Sequence, residues 1–195
     1  LLFADKVGKS GMVYSFEPDP SNFSILSKNI EINEFSNIKL INKALSDKSG
    51  EINLYESEKN SGDHRIYDSG EQRKCVHIEA IRLDDMKNDI KKPIKLIKMD
   101  IQGAEYFAVN GMISTIKNSN ALILCTEFWP YGLKMSGANP TKFIELLLDL
   151  EFCLFEHKLT NIVKVDSVSD LIDRYRADEP SSYTNLLCIK GDKNL

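Results

Sequence analysis

The sequence predicts an α/β domain built on a mostly parallel sheet. Short apolar runs such as "MVYSF", "IKLI", "IKLIKM" and "ALILCTEF" alternate with segments whose apolar residues recur at helical spacing. Acidic residues close three of those runs at equivalent places, as expected where parallel strands end at a ligand-binding rim. The 195 residues, 42% hydrophobic and 28% charged, suit one domain, 1–195, with a sizeable core. A formal net charge of −4 gives no general attraction to nucleic acid or to anionic membranes, so neither is expected as a partner. No apolar run reaches the roughly 18 to 20 residues that span a bilayer.

Along the chain, "LLFADKV" reads as the last turns of an amphipathic helix, and "GKSG" turns it into the strand "MVYSF". Asp19 can cap the next helix with Pro20 at its first position, and Phe23, Leu26 and Ile30 then share one face. "IKLI" is a short strand. "EINLY" and "CVHIEAI" alternate in polarity and read as half-exposed strands on either side of a polar, Gly-punctuated stretch, 56–74. Such an excursion from a parallel sheet is a common place for function. The parallel pattern resumes at "IKLIKMD", followed by one helix bearing Val109, Met112, Ile113 and Ile116. "ALILCTEF" reads as the most buried strand. Asn139 and Pro140 start a helix with Phe143, Leu146, Leu147 and Leu150 on one face. "FCLFEH" and "NIVKV" are strands, Ser167 with Asp170 resembles a capping box, and "TNLLCIK" closes the chain as a strand.

Four cysteines, Cys75, Cys125, Cys153 and Cys188, lie far apart without metal-ligand spacing. Cys125 and Cys188 sit within apolar strand-like runs and read as buried reduced thiols, which predicts a cytosolic compartment, and the absence of ligand spacing predicts no structural zinc.

The strand-end acids are Glu17, Asp100 and Glu127. Strand ends are solvated and often acidic, so one alone carries little; three at equivalent places carry more. A carboxylate after the second strand of such a sheet can accept hydrogen bonds from both hydroxyls of a ribose. Glu17 therefore points to a nucleoside without saying which one. In "MDIQGAEY", Gly103 permits a tight strand-to-helix turn or a close ligand approach, and Glu105 falls where the helix dipole favours an anion. Lys98 is a charge within a strand expected to be covered on both faces: it snorkels, or the cover is thinner, or it pairs with a pocket carboxylate. In "NSGDHRIYDSG", Asp63, His64 and Arg65 are adjacent, and His64 suits proton transfer near neutral pH, although a polar surface loop has the same composition. His77 and His157 read as structural.

"VYSFEPDPSNFSILSKNIEIN", "INKALSDKSGEINLY", "AIRLDDM" and "LIKMDIQGAEYFAVNGM" together resemble the FkbM-type family of class I S-adenosylmethionine (SAM)-dependent methyltransferases, in order and spacing. "FEPDP" and "MDIQGAE" look like that family's "FEPnP" and "iDvEGaE", with Gln102 where Glu is more usual. The resemblance implies a Rossmann-like sheet, mostly parallel with its last strand reversed, and SAM as methyl donor. It places Glu17 on the ribose, Ala44 and Leu45 near the adenine, and Asp100 near the methionine end or the transferred methyl. It makes His64 a candidate base or substrate contact, with Asp63, Arg65 and Glu127 as substrate-side residues. The expected activity is O-methylation of a small-molecule or carbohydrate hydroxyl. A nucleotide-dependent oxidoreductase and a non-catalytic domain that keeps the fold are the alternatives. The family's first strand and Gly-rich loop have no match in this sequence. The functional protein is therefore expected to carry them upstream, and the chain as given to show a split sheet with a half-built cofactor pocket.

Overall fold

The computed structural model describes residues 1–90, 92–158 and 160–191. The first half contains α1 (Leu2–Val7), β1 (Val13–Phe16), α2 (Pro20–Ile32), β2 (Ile38–Ile41), β3 (Ala44–Leu45), β4 (Gly50–Glu56), β5 (Lys74–Ile81) and a 3-10 turn, Leu83–Met86. The second half contains β6 (Leu96–Met99), α3 (Glu105–Asn110), α4 (Ile113–Lys117), β7 (Leu122–Phe128), α5 (Pro130–Met135) and α6 (Pro140–Asp149). It ends with β8 (Cys153–His157), β9 (Ile162–Lys164), α7 (Val168–Arg174) and β10 (Thr184–Lys190).

Helix starts follow local chemistry. Asn22 N–H donates to Asp19 Oδ1 at 2.8 Å, Lys142 N–H to Asn139 Oδ1 at 3.1 Å, and Asp170 N–H to Ser167 Oγ at 3.2 Å. Each bond satisfies a first-turn donor that the helix itself leaves free. The apolar face of α2 is only half-buried, because Phe23, Leu26 and Ile30 meet no further layer. In α6, by contrast, Phe143, Ile144 and Leu147 are fully buried.

The single helix expected over Val109 to Ile116 is two, α3 and α4, broken at Gly111–Met112. The break has a tertiary cause. A Cβ on Gly111 would lie 1.8 Å from the Ser46 carbonyl oxygen, so a distant segment packs directly against the glycine backbone. From the 3-10 turn, Asp84 accepts hydrogen bonds from Ser114 N–H at 3.0 Å and Thr115 N–H at 2.8 Å, capping α4 from outside.

The strands form three sheets. β1 and β2 pair in parallel; β3, β5 and β4 form a second sheet, with β3 parallel and β4 antiparallel to β5. The five-stranded sheet runs β6-β7-β10-β8-β9, with β6 parallel to β7 and β10 antiparallel to both its neighbours. Residues of β1 and β6 line one cleft, and among the described residues no strand joins them. The split expected from the sequence therefore falls between the strands that lead to Glu17 and Asp100.

The core lies on one face of the five-stranded sheet. Leu122, Leu124 and Phe128 of β7, with Leu186 and Cys188 of β10, pack with Val109, Ile116, Leu133, Phe143, Leu147 and Leu171 from the helices. Fully burying each such side chain contributes about 1.5–3 kcal/mol. The other face, carrying Lys98, Ile123, Cys125, Glu127 and Leu187, is half-buried or exposed. β6, expected to be covered on both faces, is thus covered on one. That thin cover explains how Lys98 keeps its charge in a strand, and its Nζ lies 3.7 Å from Asp100 Oδ2.

Replacing Gly111 with Ala forces a methyl into the Ser46 backbone, which cannot yield as a side chain would. Gly111→Ala is expected to cost about 2 kcal/mol or more of unfolding free energy, read as a lowered urea midpoint. An unchanged midpoint would contradict the packing of Gly111 on Ser46.

Candidate functional site

The β1 ladder continues one residue past the strand, with Glu17 N–H donating to Ile41 O at 3.1 Å. Pro18 then ends it, and Asp19 N–H turns back to donate to Glu17 Oε1 at 2.9 Å. Asn42 Nδ2 holds the same corner through the Glu17 and Pro18 carbonyls, at 2.8 and 3.1 Å. The Glu17 carboxylate is thereby fixed through one oxygen. Burial pushes its pKa up, the Asp19 N–H pulls it back, and the neighbouring Asp19 charge adds to the rise.

At the end of β6, Asp100 is 48% exposed and accepts a hydrogen bond from Gln102 Nε2 at 3.0 Å. Gln102 and Gly103 both take the left-handed conformation, with φ of 55° and 94°. At Gly103 a Cβ would lie 2.5 Å from the Gly132 backbone, so the turn into α3 requires glycine. The buried Glu105 carboxylate closes the turn, accepting from Ile101 N–H at 3.0 Å through Oε1, while Oε2 is buried without a partner. Burial pushes Glu105 up to about 7. Glu127 on β7 is also pushed up to about 7, by burial first and then by the charges of Asp100 and Glu105. Among the described residues, no group of three or more His, Cys, Asp or Glu side chains is arranged to hold a metal ion.

A cleft of about 1210 Å³ opens between the β1–β2 pair and β6. Of the residues singled out in the sequence, Glu17, Ala44, Leu45, His64 and Asp100 line it. Asp63, Arg65 and Glu127 are not among its lining residues. Asp63 instead grips Arg65 through two hydrogen bonds, at 2.9 and 3.1 Å, and Arg73 at 2.6 Å. The Arg65 guanidinium lies 5.3 Å from the Trp129 ring centroid and 5.7 Å from that of Tyr67. Tyr67 and Arg73 belong to the same polar stretch, whereas no local signal marks Trp129, which the fold brings in from the β7–α5 junction.

His64 is tied down at one nitrogen. Ser57 N–H donates to Nδ1 at 2.9 Å, while Nε2 lies 4.0 Å from Asp19 Oδ2. The basic lone pair of the neutral ring is thus engaged, and a base role would first require breaking the Ser57 bond. The loop is also fastened to α2 by Asn22 Nδ2, which donates to Ser61 O at 2.8 Å. His77 is exposed beside Glu51, and His157 is exposed at the end of β8.

An α/β domain with strand-end carboxylates on the lips of one cleft belongs to the broad class that takes ligands at the carboxyl ends of its strands. The family model for the Methyltransferase FkbM domain matches residues 1–156, and the chain belongs to that family. Its fold is similar to that of a crystal structure of methyltransferase FkbM from Methylobacillus flagellatus KT. The two share 15% sequence identity and a TM-score of 0.53, over 92% of this chain and 36% of that one. This chain thus spans little more than a third of the length of that protein. A comparison with curated proteins gave no match.

The folded protein holds a proton on Glu105 up to about pH 7, whereas an unperturbed carboxyl loses it near 4.5. The stability this contributes is complete below about pH 4.5 and is lost as pH rises to about 7. Glu105→Gln keeps the acceptor for Ile101 N–H, so it is expected to flatten the fall in thermal midpoint across that window. A slope identical to the wild type would place the shifted proton elsewhere.

Proposed function

We propose that this domain is a SAM-dependent methyltransferase acting on a hydroxyl of a small molecule or carbohydrate. The observation that carries the reading is the Glu17 carboxylate at the lip of the cleft, held through Oε1 with Oε2 left to a ligand. Membership of the FkbM family supports methyl transfer, a chemistry that uses SAM in general. The four cysteines are all free thiols, which suits a reducing, cytosolic setting.

The residues divide the work by position. Glu17 accepts from ribose hydroxyls, and its burial makes that hydrogen bond stronger than it would be in water. Ala44 and Leu45, in β3, offer small and apolar surface to a flat base. Asp100, on the opposite lip, accepts the proton of the acceptor hydroxyl or holds that hydroxyl in line. Bound SAM supplies an electrophilic methyl on a sulfonium.

Calorimetric titration separates this reading from its rivals. SAM is expected to bind, NAD is not, and Glu17→Gln should weaken SAM about tenfold or more, the worth of a hydrogen bond to a charged group. The same substitution is expected to raise the thermal midpoint of the unligated protein at neutral pH, because burial disfavours the charge it removes. Binding of NAD and not SAM would favour an oxidoreductase. Binding of neither would favour a fold kept without catalysis.

A further inference from the structure

We infer that His64 is a second contact for the donor's ribose, donating from Nε2–H to a hydroxyl whose own proton Glu17 accepts. This rests on the SAM reading above and adds a residue and a direction of hydrogen bonding to it.

The direction follows from the Ser57 amide. A backbone N–H only donates, so Nδ1, 2.9 Å away, is the acceptor and the neutral ring carries its proton on Nε2. Asp19 does not take that proton, because its Oδ2 lies 4.0 Å from Nε2, beyond hydrogen-bond reach.

Asp19 also fixes the other half of the pair. Its N–H is spent on Glu17 Oε1, and its Oδ1 is spent on Asn22 N–H. Apart from Asp19 Oδ2, whose residue does not line the cleft, what remains around this one buried residue is an acceptor, Glu17 Oε2, and a donor, His64 Nε2–H, on side chains that line the same cleft. A sugar hydroxyl both donates and accepts. A vicinal diol is a ligand group that satisfies both partners at once, whereas a purely anionic or purely apolar group leaves one of them unpaired.

The ring is held in place before any ligand arrives. The loop that carries it is pinned by the Asn22–Ser61 hydrogen bond and by a paired exchange between Tyr55 and Arg65 at 2.7 and 3.1 Å. The Asp63 links to Arg65 and Arg73 brace it further. Little side-chain entropy is left to lose on binding.

The test uses the full chain and S-adenosylhomocysteine, with its 2′-deoxy and 3′-deoxy analogues, titrated by calorimetry. His64→Ala is expected to weaken S-adenosylhomocysteine about 2- to 10-fold, the range of a neutral hydrogen bond, and His64→Gln to recover part of that loss. One deoxy analogue should bind the wild type more weakly yet lose nothing further on His64→Ala. Equal affinity of wild type and His64→Ala, or the same deoxy penalty in both, would overturn the assignment while leaving the SAM reading intact. Failure of the wild type to bind S-adenosylhomocysteine would overturn both. Nitrogen-15 NMR of the histidine ring is independent of binding and of variant folding: it should show the Nε2–H tautomer at His64, and a proton on Nδ1 would overturn the inference.

Discussion

Asp19 is 2% exposed, and the lip of the cleft is arranged around its polar atoms. Its N–H engages Glu17, its Oδ1 caps α2, its carbonyl accepts from Phe23 N–H at 2.8 Å, and its Oδ2 faces His64. A carboxylate so deeply buried costs several kcal/mol unless the surroundings compensate it. Here the compensation comes from the first turn of α2, whose free N–H groups and dipole favour negative charge at that point. The helix start and the position of Glu17 are therefore one structural unit. Pro18 and Pro20 bracket it, the first ending the β1 ladder and the second entering α2 without a lost donor.

The opposite lip is built on a different principle. At the end of β6 the chain turns through two left-handed residues, one of them Gln102, for which that conformation is strained. The turn is held by Glu105, whose carboxylate accepts from Ile101 N–H, and by Ser136 Oγ, which donates to Gly103 O at 2.7 Å. Strain and a buried acid are both unfavourable, and they persist because Gly132 packs against Gly103 with no room for a side chain. Asp100 is thereby set at the rim on a turn that has few other ways to fold.

What the sequence made legible was local. The caps at Asp19, Asn139 and Ser167, the glycine turn at Gly103 and the acids Glu17 and Asp100 just past β1 and β6 are each written in neighbouring residues and found in place, whereas Glu127 lies inside β7, which runs on to Phe128. What it hid was set by distant contacts. The break at Gly111 depends on the Ser46 carbonyl, the half-open face of β7 on helices that cover only the other side, and the engaged nitrogen of His64 on a backbone N–H of Ser57. Asp63, Arg65 and His64 are adjacent in the chain and looked like one constellation. The loop sends them to different partners, so Asp63 braces arginines while His64 reaches the cleft. Adjacency said nothing about direction.

The two lips belong to different sheets, so no backbone ladder fixes the distance between Glu17 and Asp100. Their spacing rests on side-chain links. Tyr14 Oη donates to Asp89 O at 3.0 Å, and Lys39 lies 3.4 Å from Asp89 Oδ1, joining the β1–β2 pair to the segment before β6. The loop adds a second bridge, fastened to α2 through Ser61 and resting on Trp129 of the β7–α5 junction through Arg65. An exposed hydrogen bond or ion pair contributes about 1 kcal/mol or less, whereas a ladder adds a bond at every second residue on each strand. The spacing across the cleft is therefore held less stiffly than the spacing of strands within a sheet. A ligand that touches both lips would stabilise it by mass action, because it binds the correctly spaced arrangement and not the others.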